Sequence, residues 1–232
     1  MGNHYVIFWY QKVPLGHLWY NKPLDKNSFR KAAVNAVSSA LSYYSGLGER
    51  STDEWISLIE SPELPDWFAS AAPVHSPIKA EPVSVVICTR NRPDALRVCI
   101  DQLLQSEDQN FELIVVDNAS DDDSTRKVTE LYPDVRYVRE DRKGLDIARN
   151  TGIKNAGYEI VAFTEDDVSV DPSWISQIKR SFESPQTMAV TGLIIPKELN
   201  SKAQYIFERD WGFNKGYLPK TFDYTFFKNY IN

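Results

Sequence analysis

The chain has 232 residues, 42% hydrophobic and 25% charged, an ordinary globular composition that excludes a disordered tail and allows one large core or a main domain with a small appendage. Lys and Arg number 26 against 32 Asp and Glu; residues 1–80 hold seven of each sign, so the whole formal charge of −6 falls in residues 81–232, which excludes a nucleic-acid groove. No apolar run approaches the roughly 18 residues of a transmembrane segment, and Cys88 and Cys99 lack metal-ligand spacing. The chain therefore reads as cytoplasmic, in a reducing compartment, with peripheral membrane association left open.

Tyr5–Tyr10 and His17–Tyr20 are aromatic and β-branched runs on either side of Val13-Pro14-Leu15-Gly16, which reads as a hairpin. Phe29, Ala33, Ala36, Val37, Ala40, Leu41 and Tyr44 then recur at helical spacing behind Asp25 or Asn27, and Gly46 and Gly48 end the pattern. Residues 1–60 are thus expected to form a small ββα module, and the prolines of residues 61–82 a linker.

From Val83 strand and helix patterns alternate, which predicts a mostly parallel sheet covered by helices over residues 83–200. Strands are expected at Val83–Thr89, Phe111–Asp117, Val135–Arg139 and Glu159–Thr164, with a fifth candidate at Met188–Ile195. Helices are expected at Asp94–Ser106, Ser124–Leu131 and Leu145–Ala156, the last with Leu145, Ala148, Gly152, Ile153 and Ala156 on one face. Asp171-Pro172 is expected to start another helix. In residues 201–232 the pattern degrades; ten aromatics fall within 205–230 with no clear period, either a loop-rich core edge or a surface facing carbohydrate or a partner.

The strand ends carry the chemistry. Glu165, Asp166 and Asp167 follow an apolar run, and three adjacent acids repel one another unless a cation or donors sit among them. They are either a solvated acidic turn or a site for a hard divalent ion such as Mg²⁺ or Mn²⁺; their place at a strand's carboxyl end, where open α/β sheets bind ligands, favours the site. Thr89-Arg90-Asn91-Arg92 and Asp117-Asn118-Ala119-Ser120 end the first two strands, and adjacent parallel strands would bring these ends together. Asp117 either accepts the N3–H of a base such as uracil or joins Ser120 in turn hydrogen bonds, while Thr89 and Arg90 supply donors to base, ribose or phosphate. Arg149 and Asn150 project from a helix start toward the same end.

Four stretches in one order, residues 85–93 (Val-Val-Ile-Cys-Thr-Arg-Asn-Arg-Pro), 114–121 (Ile-Val-Val-Asp-Asn-Ala-Ser-Asp), 144–152 (Gly-Leu-Asp-Ile-Ala-Arg-Asn-Thr-Gly) and 163–167 (Phe-Thr-Glu-Asp-Asp), resemble the family 2 glycosyltransferases, and Pro172-Ser173-Trp174 fits the Pro-x-Trp that follows the acidic motif there. The resemblance runs from about Val83 to Trp174. It implies a GT-A type, Rossmann-like, mostly parallel sheet with helices on both faces, and an inverting, metal-dependent transfer of sugar from a nucleotide-diphosphate donor, UDP-sugar favoured, to a glycan, lipid or protein acceptor. It also implies that Thr89, Arg90, Arg92, Asp117, Asn118, Arg149, Glu165 and Asp166 bind the nucleotide sugar and that Asp167 holds Mn²⁺ or Mg²⁺. Glu165 departs from the Asp that opens the family's Asp-x-Asp motif, moving the charge by one methylene.

Trp211-Gly212-Phe213-x-x-Gly216 resembles the acceptor side of some members, but the Glu-Asp pair that would supply a base downstream is missing. Glu208 and Asp210, which precede the expected place, are the nearest acids and the candidates for that base. Residues 201–232 therefore read as an incomplete acceptor-side segment, and a truncated or degenerate relative that binds nucleotide sugar without efficient transfer is the alternative reading. A nucleotidyltransferase is disfavoured because no Gly-rich, basic phosphate loop follows the first strand.

Overall fold

The structure, a computed structural model, describes residues 4–61 and 81–231; the expected linker lies, apart from its ends, outside them. Two compact units emerge, residues 4–61 with 192–231 and residues 81–191, so the sheet unit ends at 191 where the sequence pattern placed its end at 200.

The first unit opens with an antiparallel pair, β1 (His4–Tyr10) and β2 (Val13–Tyr20). The hairpin turns at Gln11-Lys12, with Gln11 at φ 50°, and not at Val13–Gly16 as expected. Pro14 sits within β2, opposite Trp9 and next to a register shift, a position open to proline because a two-stranded sheet is all edge. Gly16 has a different task from turning the chain: a Cβ there would lie 2.1 Å from the Ala36 carbonyl oxygen, so only glycine lets helix α1 (Lys26–Ser45) close on the strand. Asp25 caps α1 by accepting from the backbone N–H of Asn27 and Ser28, and Gly46 ends it in the left-handed region. A second helix, α2 (Thr52–Ile59), was not expected, although Ser51 and Glu54 form a reciprocal capping box legible in the sequence. Leu15, Val34, Val37, Ala40, Leu41 and Trp55 bury together as this unit's core, with Leu218 packed against it.

The second unit is an all-parallel sheet in the order β5-β4-β3-β6, built from β3 (Val83–Thr89), β4 (Phe111–Asn118), β5 (Val135–Glu140) and β6 (Ile160–Glu165). β3 is central and every one of its residues is buried, which is why it reads as a continuous apolar run. Helices cover both faces. On one, α3 (Pro93–Leu103), α4 (Ser124–Thr129) and α6 (Trp174–Ser181) pack on Val83, Val85, Ile87, Leu113 and Val115. On the other, α5 (Leu145–Asn155) lays Ala148 on Val86, Cys88, Ile114 and Val116.

The expected fifth strand is absent: Met188–Ile195 is irregular, pairs with no described strand and leaves Met188 87% exposed, because an apolar run becomes a strand only where a ladder partner exists. Asp171 does not start the next helix directly. Its carboxylate accepts from the Ser173 N–H and its carbonyl from the Trp174 N–H, a turn that delays α6 to Trp174. In the first unit two further helices follow, α7 (Lys202–Trp211) and α8 (Tyr224–Ile231). Tyr217 shares a 2.9 Å hydrogen bond with His17 and Tyr205 meets Trp19 edge to face, so part of the aromatic segment is core edge of the N-terminal module. Trp211, Phe213, Phe222 and Tyr224 stay exposed.

Candidate functional site

Parallel register aligns the strand ends: Thr89 of β3 lies opposite Asp117 of β4, and Cys88 opposite Glu165 of β6. An open cavity of about 220 Å³ sits there, lined by Cys88, Thr89, Arg90, Arg92, Asn118, Leu145, Glu165 and Asp166. Leu145, grouped by its spacing on one face with the buried Ala148, is 45% exposed at the cavity wall.

The loops after β3 and β4 are laced together. Asn91 donates to the Asp121 carboxylate at 2.7 Å and accepts from the Asp121 N–H at 2.8 Å, while Arg90 Nε donates to the Ala119 carbonyl at 3.2 Å. Asn91 and Ala119 both adopt positive φ, 58° and 55°, and a left-handed alanine is a strained conformation held by its surroundings. Asn118 ties in the next loop, donating to the Arg142 carbonyl at 2.7 Å and accepting from the Gly144 N–H at 2.9 Å. Gly144, at φ 149°, lets the chain turn there into α5.

The acidic triplet has its positive partners. Arg92 Nη1 stands 2.7 Å from Asp166 Oδ1 and 2.9 Å from Asp167 Oδ2; Thr89 donates to Asp166 Oδ2 at 2.6 Å; and Arg149 Nη2 is 2.7 Å from Glu165 Oε1. The Asp166 side chain is 4% exposed and that of Asp167 59%, so the first is a buried anchor and the second an available ligand. Burial, with Glu165 adding to it and Arg149 opposing, pushes the Cys88 thiol up to about 11, which leaves it protonated and inert at neutral pH.

Asp117 does not line the cavity, contrary to its expected role as base acceptor. It is fully buried, with Oδ1 accepting from the Ser120 N–H at 3.0 Å and Oδ2 from Tyr137 at 2.8 Å and Arg139 at 2.9 Å. Burial alone would raise its pKa, but the donors of Ser120, Tyr137 and Arg139 outweigh it and hold the carboxyl below its ordinary value. The carboxylate is charged and already satisfied. Its neighbour Asn118 is the residue of that strand end which faces the cavity. Sequence reasoning missed Tyr137 and Arg139, although their alternation along β5 placed both side chains on one face of the sheet.

In the other unit, Glu208 and Asp210 differ. Burial raises the Glu208 carboxyl against an opposing Lys215, whereas both oxygens of Asp210 are gripped by Arg209 at 2.7 and 2.8 Å, which lowers it.

Among the described residues no set of three or more His, Cys, Asp or Glu side chains is arranged to hold a metal. A hard ion bound together with a diphosphate needs fewer protein ligands, since one or two carboxylates suffice when phosphate and water supply the rest. Asp166 Oδ1 and Asp167 Oδ2 already converge on one cationic nitrogen, and their oxygen chemistry fits Mg²⁺ or Mn²⁺.

A family model described as Glycosyl transferase family 2 matches residues 84–230. The chain is 28% identical over 183 residues to the O-antigen biosynthesis protein RfbC of Myxococcus xanthus, covering 76% of this chain and 14% of that protein. It is 25% identical over 130 residues to the glucosyl-dolichyl phosphate glucuronosyltransferase of Haloferax volcanii, covering 53% of this chain and 41% of that one. The chain thus spans less than half the length of these curated relatives. Among solved structures, S. aureus TarS 1-349 in complex with UDP aligns at 26% identity and TM-score 0.34, over 37% of this chain and 27% of that one. The mannosyltransferase PcManGT from Pyrobaculum calidifontis, in complex with GDP-Man and Mn²⁺, aligns at 22% identity and TM-score 0.35, over 60% of this chain and 39% of that one.

Proposed function

We propose that this chain, which belongs to glycosyl transferase family 2, binds a nucleotide-diphosphate sugar at the carboxyl ends of β3, β4 and β6 and transfers the sugar to an acceptor hydroxyl with inversion. The observation that carries this reading is the meeting of Thr89, Arg90, Arg92, Asn118, Glu165 and Asp166 around one cavity at those ends. The helix-covered parallel sheet is the GT-A type arrangement expected of the family.

In this reading Arg90 and Asn118 face base and ribose, Arg92 faces the diphosphate, Arg149 reaches the site through its pairing with Glu165 of the cavity wall, and Asp117 is a positioning residue that fixes the end of β4 through Ser120, Tyr137 and Arg139. Asp167, backed by Asp166, would hold Mn²⁺ or Mg²⁺, which supplies Lewis-acid stabilisation of the departing diphosphate. The acceptor oxygen attacks the anomeric carbon from the face opposite the diphosphate, and the bond from that carbon to the phosphate oxygen breaks with its electron pair. The hydroxyl proton passes to a carboxylate. The sequence offers Glu208 and Asp210 for that role; Glu208 has the raised pKa and, among the described residues, no arginine partner, so of these two it is the readier to accept a proton. UDP-sugar is the favoured donor, and the acceptor is a glycan, lipid or protein hydroxyl.

The pairing of Asp210 with Arg209 favours a second reading, donor binding without efficient transfer. Calorimetric titration of UDP, GDP and dTDP, each with Mn²⁺ and again with excess EDTA, tests the first. UDP is expected to bind in Mn²⁺ and to lose at least about tenfold in affinity in EDTA or on Asp167→Ala, the scale of a metal worth more than 1.4 kcal/mol. Equal affinity with and without metal overturns the metal role; no binding of any nucleotide overturns the donor site.

A further inference from the structure

Resting on the donor-site reading above, we propose that Arg92 is a positioning residue that holds the cation's place on Asp166 and Asp167 and yields it only when a diphosphate arrives. One nitrogen, Nη1, bridges the two carboxylates at 2.7 and 2.9 Å. Asp167 is the carboxylate that would hold a divalent ion, with Asp166 behind it, and a guanidinium N–H resting on both would compete with that ion: the space is shared and the charges are alike.

Asp166 makes the exchange obligatory. With its side chain 4% exposed it has almost no water to fall back on, and its second oxygen is spent on Thr89 at 2.6 Å. If Arg92 left with nothing in its place, a buried carboxylate would stand unneutralised, the costly case for a charge out of water. A cation entering as the guanidinium leaves keeps Asp166 compensated throughout.

Arg92 is built to move. Its side chain is 55% exposed, lines the cavity and leads off the residue that precedes α3 without itself capping that helix. Only Nη1 of its donors is engaged among the described residues, so Nε and Nη2 remain for a second anion. A diphosphate in the cavity is that anion, and guanidinium and phosphate match in geometry as well as charge. Metal alone must therefore displace Arg92 into an empty cavity, whereas metal with diphosphate gives Arg92 a new partner. The two ligands are coupled through one side chain, and the coupling runs both ways. Arg149 on Glu165 makes a similar pair at 2.7 Å but engages one acid only, so it does not stand on the shared pair of oxygens.

The test uses the full 232-residue chain and Mn²⁺ alone, followed by the loss of the free-ion electron paramagnetic resonance signal, in wild type, Arg92→Ala and Arg92→Gln. Both variants are expected to bind Mn²⁺ alone at least about fivefold more tightly than wild type, the factor for removing one like charge at close range in water. In saturating Mn²⁺ both are expected to bind UDP more weakly than wild type. Asp167→Asn placed on Arg92→Ala should abolish the gain, and thermal melting confirms that each variant is folded. A purely structural ion pair would not move the two affinities in opposite directions. No gain in Mn²⁺ affinity in either variant overturns the proposal even if wild type binds UDP with metal as the donor-site reading requires. A gain in Mn²⁺ affinity with unchanged UDP affinity overturns the handover to phosphate. If wild type binds no nucleotide at all, the donor-site reading fails, and with it the diphosphate handover.

Discussion

Arg139 lies directly across the β4–β5 ladder from Asp117 and sets its Nη1 2.9 Å from Asp117 Oδ2, the oxygen that Tyr137 also reaches. This pairing turns the strand-end aspartate inward. Its charge is used to fasten two strand ends and the loop at Ser120, and the cavity is left to Asn118.

Asp117→Asn should therefore cost stability before it changes nucleotide preference. The loss expected in urea unfolding is about 1–2 kcal/mol, the low end for a hydrogen-bonded charge because solvent reaches Arg139. A change in preference among UDP, GDP and dTDP at undiminished stability would return Asp117 to the cavity.

Glu140 accepts from the Arg142 side chain, from Thr151 and from the Arg142 N–H, and these bonds hold its carboxyl at about 2. Its folded value lies below its ordinary 4.5, so its contribution is complete above pH 4.5 and is lost as pH falls toward 2. Stability measured by denaturant unfolding should decline through that window in wild type and decline less steeply in Glu140→Gln; parallel slopes would count against the linkage.

Gly152 lets α5 close on the sheet, because a Cβ there would lie 2.4 Å from Val86 Cγ1. Gly152→Ala gains up to about 1 kcal/mol in helix propensity, and overpacking costs about 1–3 kcal/mol, so a net loss is expected against a stiff, fully buried valine. In a Val86→Ala background the same substitution should cost less. Simple additivity of the two changes would show that the contact relaxes elsewhere.

Glu208→Gln should reduce UDP release from a UDP-sugar by about 10²–10⁴-fold if Glu208 takes the acceptor proton, with Asp210→Asn changing it far less. Wild-type turnover no faster than Glu208→Gln would favour donor binding without efficient transfer.

The amino-acid order alone determined the parallel, helix-covered sheet, because alternating apolar periods of two and 3.6 leave few other ways to bury those faces. It also determined which strand ends bear polar chemistry, since Thr89, Asp117 and Glu165 each close an apolar run. Gly46 as a helix stop was legible for the same reason, a local backbone requirement that glycine meets. Tertiary structure decided what local sequence cannot encode. Gly16 read as a turn residue and proved to be a point of close approach to Ala36, twenty positions away in the chain. Met188–Ile195 had strand composition and pairs with no described strand. Asp117 and Asn118 are adjacent in sequence, yet strand pleating sends one side chain under Tyr137 and Arg139 and leaves the other at the cavity. Which arginine answers which acid was likewise settled only by register and loop geometry, because a charge recognises what lies a few ångströms away in space and carries no record of its distance along the chain.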